Sequence, residues 1–175
     1  MAITIIETPG SASANSFVSV AEATAYLEAR LNSSAWTSAS TEDQKAALVE
    51  ATRELAFRAW IGRKASTTQA LPWPREWALD PDAPVGGTYL DSTTIPQRLQ
   101  DATCELALEF LRAGTTDLAG AIKDEGIQTK TVDVLTTTYF APHQRPKGLA
   151  RYPRVLGLIA PLLEATQGGV PILRG

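Results

Sequence analysis

A chain of 175 residues, 44% hydrophobic and 20% charged, has the size and composition of one globular domain able to bury its own core. Its single cysteine, Cys104, excludes internal disulfides and fits a reducing cytoplasm, no apolar run is long enough for a transmembrane helix, and the N-terminus does not read as a signal peptide. The net charge of −3 is uneven: residues 1–142 carry 11 Lys+Arg against 18 Asp+Glu, and residues 143–175 carry five against one, an acidic body with a basic tail that argues against a strong nucleic-acid binder.

In chain order, Ile3 to Glu7 is short and β-rich, a strand or an arm, and a small polar loop follows. Ser19 opens a first helix over about 19–31, with Glu22 completing a capping box and Val20, Ala23, Tyr26, Leu27 and Leu31 on one apolar face. Asn32 to Ser40 is turn chemistry around Trp36. A second helix over about 41–61 has Glu42 and Asp43 in its first turn. Its buried stripe runs from Leu48 through Phe57 to Trp60, and Gly62 stops it. Residues 63–94 show no long periodic segment. Within them Gln69-Ala70-Leu71-Pro72-Trp73-Pro74-Arg75-Glu76-Trp77 forms a stiff extended stretch, since proline holds its own φ and extends the residue before it. Such a stretch either packs over its own core or offers aromatic anchors to a partner.

Ile95-Pro96 opens a third helix over about 96–113, with Leu99, Ala102, Thr103, Leu106 and Phe110 facing the core and Gly114 placed as its stop. Residues 127–140 are β-branched or aromatic and read as one strand or two within a β insertion of about 122–140, with Gly126 able to close a hairpin. A fourth helix over about 152–166 carries Val155, Leu156, Ile159, Leu162 and Leu163, and Pro161 is expected to kink it. Residues 168–175 follow as an apolar extended arm, either a clamp on its own domain or a strand for a neighbour. The fold class is therefore mainly α, an α+β domain in which a four-helix bundle carries an inserted β-hairpin element and a C-terminal arm.

Catalytic signals are thin. The lone His143 sits in a polar loop, Cys104 has no histidine near it in sequence, and one of each cannot build a zinc site. Asp80-Pro81-Asp82 lacks the later ligands of a calcium loop, and the glycine pairs lack a phosphate-loop context. The expectation is a protein without enzymatic activity, metal or cofactor.

Several segments together resemble a known family. They are Asn15-Ser16-Phe17-Val18-Ser19-Val20-Ala21-Glu22-Ala23 with Tyr26-Leu27, Glu50-Ala51-Thr52-Arg53, Gln69 to Arg75, Ile95-Pro96 leading to Ala102-Thr103-Cys104-Glu105-Leu106-Ala107, and the closing Leu173-Arg174-Gly175. In this order they resemble small tailed-bacteriophage proteins labelled DnaT-like single-stranded DNA-binding, with Phe17 where tyrosine is expected. That family is similar in organisation to head–tail connector (adaptor) proteins. The resemblance thus implies two functions of different classes. One is a virion connector forming a homo-oligomeric ring of about twelve subunits beneath the portal protein. Such a ring joins capsid to tail or stopper protein and extends the channel for genomic double-stranded DNA. The other is single-stranded DNA binding. The acidic body and the single arginine of the Trp-Pro stretch favour the connector. On that reading the portal or neighbouring subunit meets Val170, Ile172, Leu173, Arg174 and Gly175 of the arm, Arg151 and Arg154 before it, and Trp73 and Trp77.

Overall fold

The structure, a computed structural model, describes residues 3–84, 87–114, 129–132, 135–138 and 148–164. It is mainly helical with short antiparallel strand pairs, an α+β arrangement. Helix α1 (Val20–Glu28) begins with the expected capping box: Ser19 Oγ accepts the Glu22 amide at 3.2 Å and Glu22 Oε2 accepts the Ser19 amide at 2.9 Å. Those bonds hold the Glu22 carboxyl below the usual carboxylate range. The N-terminal segment is neither strand nor free arm. Asn15 clamps it, its side-chain oxygen accepting the Ile6 amide and its amide donating to the Thr4 carbonyl, both at 2.8 Å.

Helix α1 ends three residues before its expected limit. Leu31 is 88% exposed and leaves the apolar stripe, and Asn32 turns the chain at φ 62°, a conformation asparagine tolerates. The turn lets Trp36, on the short helix α2 (Ser34–Thr37), enter the core, where its indole N–H donates to Thr24 Oγ1 at 3.1 Å. Helix α3 (Thr41–Ala56) is capped by Ser40 but also stops early, with Phe57 83% exposed rather than on the buried stripe. The reason is tertiary. The backbone after α3 bonds elsewhere: the Ile61 amide donates to Leu162 O at 3.0 Å and Ala59 O accepts the Glu164 amide at 3.1 Å.

Helix α4 (Gln97–Ala113) is the centre of the fold, packed against α1, α2, α3 and the last helix, α5 (Pro153–Ile159). Residues 102–108 are buried without interruption because neighbours surround this helix. Gly114, at φ 64°, closes it. Helix α5 follows a 3-10 turn (Gly148–Arg151) and gives way at Ala160–Leu162 to another that contains Pro161. Proline therefore ends this helix instead of kinking it, since it has no amide to continue the ladder. Leu163 is already extended and bridges Trp60.

Four strands complete the described residues. β1 (Arg63–Lys64) pairs antiparallel with β2 (Arg75–Glu76), Arg63 opposite Glu76. β3 (Thr129–Val132) pairs antiparallel with β4 (Leu135–Thr138), Thr129 opposite Thr138, so the β-rich stretch is two strands. The Gly126 turn, His143 and the arm residues Val170, Ile172, Leu173, Arg174 and Gly175 lie outside the described residues.

Candidate functional site

The β1–β2 pair is held by the Trp-Pro stretch, which contains β2. Trp73, 1% exposed, lies in the core edge-to-face with Trp60, ring centroids 5.9 Å apart at 80°. Trp73 is thus a core residue and presents no surface to a partner. Its bond to Pro74 is cis. Gln69 is buried and stitches the loop, donating to the carbonyls of Leu71 (2.8 Å) and Pro74 (3.1 Å) while accepting the Ser66 amide (2.8 Å).

Arg75 completes the brace. Its guanidinium donates to the carbonyls of Ile61 (2.7 Å), Gly62 (2.6 Å), Trp60 (3.1 Å) and Pro72 (3.3 Å). Desolvation draws its pKa below the usual arginine value, with the field of Glu164 opposing. A forked planar cation matches four converging carbonyls, which a lysine cannot do. Gly62 makes the close approach possible: at φ 72°, any Cβ there would sit 2.3 Å from the Glu76 carbonyl oxygen.

This bracing pushes Trp77 outward. Its backbone is left-handed at φ 58°, unusual for a bulky residue, and its ring is 59% exposed. The Arg63 guanidinium carbon lies 3.7 Å from the ring centroid, a cation–π stack. Arg63 also reaches Glu76 Oε2 with Nη2 at 2.8 Å and Nε at 3.0 Å. Lys64, next along the strand and opposite Arg75, is exposed and donates from Nζ to the Gln69 carbonyl at 3.3 Å, and Leu79 and Tyr89, also exposed, face each other in an antiparallel bridge. Of the four cations in residues 57–79, Arg58 pairs with Glu54 and Arg75 is spent on carbonyls, which leaves Arg63 and Lys64 on this edge with Glu76 bonded to Arg63. An exposed tryptophan with a cation on its face can stack a base while meeting its phosphate.

Arg151 and Arg154 fall in a different place, a cleft walled by α1, α4 and α5 that also contains Arg30, Glu105, Glu109 and Tyr152. Of the described residues expected to meet a partner, Trp73 is buried, Trp77 is exposed at the β1–β2 pair, and Arg151 and Arg154 line this cleft. The residues the connector reading missed are Arg63 and Lys64. Their only signal is a pair of adjacent cations ahead of an aromatic-rich loop, and the register that stacks Arg63 on Trp77 comes from pairing across twelve intervening residues.

The chain belongs to the family described as "Putative DnaT-like ssDNA binding protein", whose model matches residues 1–175. No curated protein and no solved structure matches it. The match corrects the connector reading. Nothing in it supports a virion adaptor, a twelve-subunit ring, a portal, a tail or stopper partner, or a duplex passing through unbound. The physical error was to take whole-chain charge as a guide to a surface whose charge is local.

Proposed function

We propose that this protein binds single-stranded DNA on the β1–β2 edge, with Trp77 as the stacking platform and Arg63 and Lys64 as phosphate contacts. The observation that carries the reading is the exposed Trp77 ring with Arg63 3.7 Å from its centroid. Family membership over the whole chain supports it independently. Bases in a duplex are already stacked, so a ring offered on a surface selects strands whose bases are free. The helices, taken together as a four-helix bundle around α4, serve as the rigid support that holds the hairpin. The protein binds without a catalytic step, a reading supported by the burial of Cys104, whose thiol is pushed up to about 12 by desolvation.

The test is fluorescence anisotropy of a labelled oligothymidylate at low salt. Binding is expected for the native protein, with duplex competitor far less effective than single-stranded competitor. Absence of binding at low salt, or equal competition by duplex, sinks the reading.

A further inference from the structure

The cleft between α1, α4 and α5 is a second site, separate from the hairpin. It encloses about 300 Å³ and is lined by Arg30, Arg151 and Arg154 together with Glu105, Glu109 and Tyr152. Glu105 is 2% exposed, yet it is fully engaged. Its Oε1 accepts the Tyr26 hydroxyl at 2.8 Å and lies 3.3 Å from Arg154 Nε, and its Oε2 pairs with Arg30. Glu109 pairs with Arg112 from outside the lining, and its charge also acts on Arg30. Asp101, a turn before Glu105, accepts from Gln97 and does not line the cleft. One buried carboxylate therefore organises two arginines, Arg30 and Arg154, and a single negative charge cannot neutralise both.

Two further facts point to an anion. The Arg30 pKa is lowered first by burial and next by the neighbouring charge of Arg154, so the guanidiniums repel each other across the cleft. Arg154 keeps 63% of its side chain exposed, so its fork remains available beyond the contact with Glu105. Planar guanidiniums converging on a small concave space match the oxygens of a phosphate, which carries about −1.5 to −2 charge as a monoester.

We infer that this cleft binds a phosphate group through Arg30 and Arg154, with Glu105 as the positioning residue that fixes both. The group is either the terminal phosphate of a DNA strand or a free phosphate compound, and one experiment separates them.

Calorimetric titration of the full chain with sodium phosphate, against sodium chloride of equal ionic strength, should show saturable binding. Arg154→Ala should weaken it about tenfold, the loss of one charge-assisted contact. Arg154→Lys, which keeps charge and bulk, should fall between, and Trp77→Ala should leave phosphate binding unchanged. A 5′-phosphorylated oligothymidylate that binds tighter than its 5′-hydroxyl counterpart, with the gap lost in Arg154→Ala, identifies a strand end. Equal affinity of the two strands alongside Arg154-dependent phosphate binding identifies a free phosphate compound. No saturable phosphate binding, or equal binding by Arg154→Ala, overturns the proposal. Phosphate binding in a protein that ignores both strands removes the hairpin reading alone and leaves the cleft intact.

Discussion

Trp77 concentrates the functional question in one side chain. It pairs a left-handed backbone with a mostly exposed ring, two costs that a purely structural tryptophan avoids. Trp77→Ala should therefore weaken oligothymidylate binding by about 1–3 kcal/mol, the value of one stacked base, while changing stability by less than about 0.5 kcal/mol. A melting temperature that falls as steeply as affinity would show the ring to be a packing residue. Cys104 is the opposite case. Burial raises its thiol to about 12, above an unfolded value near 8.5, so its contribution is complete below about pH 8.5 and is lost as pH rises toward 12. In the folded protein at pH 8 a thiol reagent should leave Cys104 unmodified and should react fully once denaturant is added. Prompt modification of the native protein would contradict the buried placement.

At the level of elements, the Trp-Pro stretch is a brace and the β1–β2 pair is what it holds. Arg75→Lys should cost about 2–3 kcal/mol, because one ammonium cannot replace a fork serving four carbonyls that are then left partly unsatisfied. Chemical denaturation measures this, and retention of full stability would argue that the carbonyls find water. Gly62→Ala should be at least as severe, roughly 2 kcal/mol or more, since it adds left-handed strain to a backbone clash at 2.3 Å. It should also weaken oligonucleotide binding with Trp77 untouched in sequence, because the clash forces β1 and β2 apart. Much at this scale was legible beforehand. The capping box of α1, the Pro96 opening and the Gly114 stop are local signals that need only neighbouring residues. The early end of α3 was not legible, because the segment after it gives its backbone bonds to residues a hundred positions later.

For the whole molecule, acidity and nucleic-acid binding coexist because screening confines fields to about a Debye length, roughly 8–10 Å at ordinary salt. The remote carboxylates of α3 therefore weigh less on a bound phosphate than Arg63 and Lys64 do. With two phosphate contacts, log affinity for a single strand should fall against log salt with a slope of about −1.4. A slope near zero would show binding carried by stacking alone. A slope steeper than about −4 would require a basic surface larger than this hairpin offers. Among the described residues no helix is long and apolar enough to cross a membrane.

By itself the amino-acid sequence determined the mainly helical class and the approximate positions of the long helices and of a β-rich insertion. Each of these depends on periodicity, capping or local rigidity, which act over a few residues. Whether that insertion was one strand or two was left to the structure, and the connector identity was overturned by the family match. Only the tertiary structure decided that Trp73 is core while Trp77, four residues on, is surface, and that Gln69 and Arg75 are spent on backbone carbonyls. It alone set Arg63 against Trp77 and gathered Arg30 and Arg154 around one buried glutamate. Those placements follow from pairings between segments distant in the chain, and composition cannot report which charges end up side by side.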